Sequence, residues 1–417
     1  MTERTMHQRH LRFAVATLLV GAGACGDGLL EPILELPRQL TVAEAQLVEA
    51  DNRFAFKLFG QVNTDEEDGA NVFISPLSVG MALGMTYNGA AGSTRDAMQE
   101  TLELQGLTLQ EVNESYRSLI QLLIDLDPRV EMLIANSIWY RQGIQVVPAF
   151  IDLNRQYFDA EVTALDFDNP SAANAINDWV HAKTRGRIDR IIEPPIPSQM
   201  IMYLVNAIYF KGDWTSKFDK DRTRNAPFTL TDGSQIAVPT MSSGAKIPVR
   251  AFGDNEVLVA DLPYGGRAFS MTLVVPHDES QIVELSKTLT RNRWDTWIAA
   301  LRDDSIEVVM PKFALEYDVT LNDVLKALGM AVAFSDTEAD FSNLYAGPER
   351  AYISEVKHKT FVEVNEEGTT AAAVTSVGVG VTSLPTVIRV DRPFLFAIRE
   401  RLSGTILFMG RMMNPGG

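Results

Sequence analysis

The chain has 417 residues, 46% hydrophobic and 8% aromatic, enough to bury a large core in one or two domains. Its formal charge of -17, with a pI near 4.8, argues against nucleic acid, whose phosphates require a basic face. The single cysteine, Cys25, excludes an intramolecular disulfide.

The N-terminus reads as an export signal. Arg4, Arg9 and Arg12 form a basic region, Phe13 to Val20 is apolar but too short to span a bilayer, and Gly21-Ala22-Gly23-Ala24 precede Cys25. This resembles a bacterial lipoprotein signal, residues 1–24, with Cys25 as the lipidated first residue; Ala22 departs from the larger aliphatic residue usual there. Ordinary secretion is the alternative. Loss of three arginines and Glu3 with the signal takes the charge from -17 to -19. Residues 21–26 also fit GxGxxG, but no strand precedes them and no helix follows, so a dinucleotide site is discarded. Residues 25–40, with two prolines, read as a tether.

A helix begins at Thr41, which with Glu44 makes a capping box; Val48, Ala55, Leu58, Phe59 and Val62 share one face. Val72 to Ile74 is a short strand, and Ser75-Pro76 opens a helix with a small face at Ala82, Gly84 and Ala90 to Gly92. Ser75 and Ser78 are read either as helix caps or as a polar cluster under a sheet. Helices follow at 93–104 and 111–126; Arg95 is the sole basic residue of the first, so no polyanion site is evident. Val130 to Tyr140 and Met200 to Lys211 read as buried strands. The second contains Asn206, which needs a hydrogen-bonding partner because an unpaired buried amide costs about 1–3 kcal/mol. Helices are expected at 154–158 and 172–184. Short strands and turns fill 225–276, a helix 294–301, a strand pair or one bent strand 305–317, and a helix 321–328 ending at Gly329. A strand at 359–365 runs into VNEEGTTAAAVTSVGVGVTSLPTVIRVDRP, residues 364–393, which has no charge between Glu367 and Arg389. Its small and β-branched residues suit a strand while Gly368, Gly378, Gly380 and Pro385 punctuate it as a loop. RPFLFAIRE and GTILFMGRMMNP close the chain as a hairpin. Together these predict one α+β domain, 41–417, with antiparallel sheets.

Catalytic signatures do not emerge. Of five histidines, His7 and His10 leave with the signal; His181, His277 and His358 form no HExxH or Cys/His cluster, so neither a metal nor another cofactor is expected. No GxSxG elbow or P-loop is present.

The motifs NVFISPLSV, INDWV followed by TRGRI, LVNAIYFKGDW, EVKHKTFVEVNEEGTTAAA, DRPFLFAI and LFMGRMMNP occur in order over residues 41–415. In this the chain resembles the serpins, the serine protease inhibitors. The resemblance implies three mostly antiparallel β-sheets, about nine helices and an exposed reactive centre loop, here about 366–390, in a metastable, monomeric protein that is not an enzyme. It implies that a target serine protease attacks the loop, forms an acyl-enzyme, and is distorted when the loop inserts as a central strand. Insertion requires small side chains at alternate positions: Ala371, Ala373, Thr375 and Val377, with Ala372 between them and Thr369 at the start. Gly368 is the hinge and Glu366 the base. Counting from Gly368 and from Pro393 both place the cleaved bond at Thr382–Ser383. Its flank, Val379, Gly380, Val381 and Leu384, suits a shallow elastase-like or subtilisin-like pocket; Val381 is the rival register. Ser75, Ser78, Asn206 and His358 match the polar cluster beneath the opening sheet, with His358 expected as Asn206's partner. Trp214 matches the tryptophan where the loop enters. The alternatives are a non-inhibitory serpin, acting as a binding protein or simple protease substrate, and an unrelated exported hydrolase.

Overall fold

The computed structural model describes residues 31–368 and 387–416. Cys25 and the loop positions Thr369, Ala371, Ala372, Ala373, Val379, Gly380, Val381, Thr382, Ser383 and Leu384 lie outside the described residues.

Helix α1 (Val42–Asp65) starts where Thr41 accepts the Glu44 N–H and the Glu44 carboxylate accepts the Thr41 N–H, both arms of the capping box. Strand β1 (Val72–Ile74) leads into α2 (Pro76–Tyr87), whose residues apart from Ala82 are all buried; a helix apolar all round belongs at the centre of a fold. Its glycines admit a later helix close by: a β-carbon at Gly84 would stand 3.0 Å from the Tyr116 ring. After α3 (Gly92–Thr101) and α4 (Leu109–Asp125) come β2 (Val130–Arg141), α5 (Pro148–Phe158), β3 (Glu161–Leu165), α6 (Ser171–Lys183) and β4 (Met202–Gly212). Helix α5 begins at Pro148, ahead of the expected Asn154, because proline in the first turn initiates it.

The second half supplies β5 (Arg224–Thr229), β6 (Gln235–Ser242), β7 (Ile247–Gly253), β8 (Val257–Tyr264), β9 (Phe269–Pro276), α7 (Ile282–Thr288), α8 (Arg291–Ala300), β10 (Arg302–Pro311), β11 (Phe313–Thr320), α9 (Asn322–Leu325), β12 (Lys357–Val364), β13 (Val387–Arg389), β14 (Phe394–Glu400) and β15 (Ile406–Met412). The stretch 305–317 is a strand pair, divided at Lys312, and its halves enter different sheets. Beyond α9 the helix widens into a π turn and ends around Gly329, whose φ is 118°.

Three sheets result. The largest runs β1-β15-β14-β9-β8-β7-β10-β6-β5, with β13 parallel to β10; the others are β3-β2-β4 and β11-β12. β2 and β4 pair antiparallel from Val130↔Gly212 to Tyr140↔Met202, and β11 and β12 from Phe313↔Val364 to Thr320↔Lys357. With nine α-helices among the described residues, this is the α+β, three-sheet architecture that the sequence motifs implied. Within residues 25–40, the latter part is held down: the Ile33 N–H donates to Gly266 O at 2.7 Å, and Leu36 and Leu40 pack on the core.

Candidate functional site

β4 and β12 face one another without pairing. Among the described residues each is laddered on its other side only, β4 to β2 and β12 to β11. Between them lie two cavities. One of about 450 Å³ is lined by residues 199–206 of the β4 side, 349–359 of the β12 side, and by α2. The other, about 220 Å³, is lined by residues 208–212 and 361–365. The slot thus follows both strands for their length, and among the described residues no backbone ladder crosses it.

The first turn of α2 serves both walls. Toward β12, the Ser75 N–H donates to His358 Nε2 at 2.9 Å, and the Ser75 hydroxyl donates to Leu407 O at 2.8 Å. Ser75 also caps α2, accepting the Ser78 N–H at 3.3 Å, so the cap and the cluster are one arrangement. Toward β4, the Ser78 hydroxyl donates to Asn206 Oδ1 at 2.5 Å, and Asn206 Nδ2 donates to Asn136 Oδ1 at 2.8 Å. Asn206 therefore does not bond His358, contrary to the sequence expectation. The two residues stand on opposite walls of the slot, and each finds its own serine. Asn136 was missed. Its signal was the one that flagged Asn206, an amide inside an apolar strand, and the register pairs the two directly. Thr360, also missed, donates to Phe73 O at 2.5 Å.

Burial holds His358 neutral by pushing its pKa down to about 4. Because Nε2 accepts a main-chain N–H, the ring proton is assigned to Nδ1. This histidine touches a serine backbone and not a serine hydroxyl, which is a structural contact and not a general-base arrangement. His181 is exposed beside Asp189.

At the far end of the slot β12 stops at Val364 and the chain turns, the Gly368 N–H donating to Asn365 O at 3.2 Å. Gly368 has φ +44°, and a β-carbon there would meet Trp214 N at 2.1 Å, so conformation and space both require glycine. The Trp214 indole N–H donates to Asn365 O at 2.9 Å while its ring stacks on Tyr264 at 4.4 Å. Glu366 is buried; its carboxylate accepts from the Thr223 hydroxyl at 2.7 Å and Lys312 Nζ at 3.0 Å. Burial pushes its pKa up, but these partners and its own backbone N–H outweigh burial and hold it below the usual carboxylate range. Glu367 pairs with Lys220. The described chain resumes at Val387, where β13 joins β10.

The family model described as "Serpin (serine protease inhibitor)" matches residues 49–415. The chain belongs to the serpin family. It is 34% identical over 384 residues to the human leukocyte elastase inhibitor, covering 89% of this chain and 100% of that protein. Among solved structures it is similar to the thermophilic serpin tengpin in its native state, with a TM-score of 0.78 and 29% identity over 92% of this chain and 97% of that one. Human thyroxine-binding globulin, in its ligand complex, is also similar, with a TM-score of 0.78, at 27% identity over 90% of this chain and all of that one. The same fold therefore carries an elastase inhibitor and a thyroxine-binding globulin, in a family described as serine protease inhibitors.

Proposed function

We propose that this serpin is an inhibitor that traps serine proteases with elastase-like or subtilisin-like pockets. The observation that carries the reading is the unpaired slot between β4 and β12, with the hinge Gly368 at one end of it. A segment of small, uncharged residues follows that hinge in sequence. The protease serine attacks the Thr382 carbonyl; an ester forms, the Thr382–Ser383 amide breaks, and the released Ser383 amine takes the proton. Residues from Thr369 onward then enter the slot, with Ala371, Ala373, Thr375 and Val377 facing the core, and the attached protease is carried away before water reaches the ester. Ser75, Ser78, Asn206 and His358 control the opening of the slot, and Trp214 and Glu366 hold its mouth.

We further propose that the chain is exported, with Cys25 as a lipid anchor on a bacterial envelope, and that it acts as a monomer. Mass spectrometry of the mature N-terminus reads the anchor directly.

The test of inhibition is incubation with elastase- and subtilisin-type enzymes. A complex that resists boiling in detergent is expected, with release of a C-terminal peptide beginning at Ser383. Clean loop cleavage by all of them, with no complex, would falsify the proposal in favour of a binding or substrate role.

A further inference from the structure

The TRGRI motif, residues 184–188, follows α6 and has no part in the mechanism above. Its Arg185 and Gly186 both take left-handed conformations, φ 53° and 75°, and the resulting turn sends two arginines to different sheets. Arg185 pairs with Glu131 of β2 at 2.7 Å. Arg187 pairs with Glu363 of β12 at 3.2 Å, its guanidinium 5.1 Å over the Phe361 ring. β2 is laddered to β4, and α6 seats on that sheet through Trp179 against Trp139. The turn is thereby fixed to the β4 wall through its helix and Arg185, and reaches the β12 wall through Arg187. Thr184, Arg187 and Ile188 also line the smaller cavity.

We propose that Arg187 is the latch of a clasp across the slot, and that its release from Glu363 and Phe361 limits the rate at which a strand enters. The inference rests on the insertion reading. A strand placed between β4 and β12 sets them two inter-strand steps apart, about 10 Å. Entry that parts the walls further strains the Arg187 contact with β12 first, because the turn is covalently attached to α6 on the β4 side. An exposed ion pair and a cation–π contact are individually weak and the pair is screened by salt, so the latch delays entry without forbidding it.

The experiment measures uptake by the intact protein of a labelled synthetic peptide with the sequence of residues 369–378, followed on native gels at several ionic strengths. In the unaltered protein uptake accelerates as salt rises. Arg187→Ala and, from the opposite partner, Glu363→Gln are expected to take up peptide roughly threefold to tenfold faster, with the salt dependence flattened. Unchanged rates and salt slopes in both variants, with peptide still entering, would overturn the latch alone. If the unaltered protein takes up no peptide and its melting temperature does not rise on loop cleavage, the insertion reading fails and the latch fails with it.

Discussion

At the scale of single residues, two buried titratable groups oppose one another. Asp51 of α1 accepts the Tyr116 hydroxyl at 2.8 Å through Oδ1, while Oδ2 has no partner among the described residues. Burial drives this carboxyl up to about 7, so the folded chain keeps a proton that the unfolded chain releases near pH 4. Its contribution to stability is complete below pH 4 and is lost as pH rises to 7. His358, held down to about 4, does the reverse: its contribution is complete above about pH 6.5 and is lost as pH falls to 4. Each unit of separation is worth about 1.4 kcal/mol at most, and the two windows overlap, so these two contributions largely offset one another over this range. Asp51→Asn removes one arm. We predict that its urea midpoint climbs between about pH 4.5 and pH 6.5 more steeply than that of the wild type. An identical slope in the two proteins would show that Asp51 is not protonated in the fold.

At the scale of elements, what was legible in the sequence was local. The Thr41–Glu44 box, the Ser75-Pro76 start and the apolar runs of β2 and β4 each depend on residues a few positions apart. Asn206 was legible as an amide in need of a partner; which partner was not, because Ser78 lies far back in the chain and the choice between it and His358 depends on β4 and β12 standing apart. The division of 305–317 between two sheets was hidden for the same reason: both halves alternate as strands, and only their distant partners, β7 and β12, separate them. The turn at Asn365–Gly368 was readable from its glycine, but the Trp214 backbone that enforces glycine there was not. The segment that follows the turn in sequence carries its own prediction. Thr369→Arg places a charge where a strand would be buried, and burying an unpaired charge is strongly unfavourable. That variant is expected to be cleaved and released as a substrate, seen as free protease and a shortened inhibitor band; undiminished complex formation would count against insertion.

At the scale of the whole molecule, the two small sheets are incomplete. Among the described residues each leaves one long strand, β4 or β12, with an edge that pairs with no other strand, an arrangement a sheet protein ordinarily avoids by pairing or covering the edge. Completing the ladder supplies two sets of backbone hydrogen bonds at once, each worth about 0.5–1.5 kcal/mol net. The intact chain is therefore expected to melt well below its loop-cleaved form in calorimetry, the difference being tens of degrees by the usual scaling of added stability to melting temperature. Equal melting temperatures would mean that the slot does not fill.

Two facing edges accommodate one strand, and one chain carries one such segment. On the inhibitory reading proposed above, a molecule built this way has no turnover. Once filled, the gap offers nothing to a second protease, so protection scales with the number of copies synthesised and not with how tightly any copy first binds. On that reading its working life is a single encounter, and premature closing by heat or by a stray peptide subtracts a copy as surely as a successful capture does.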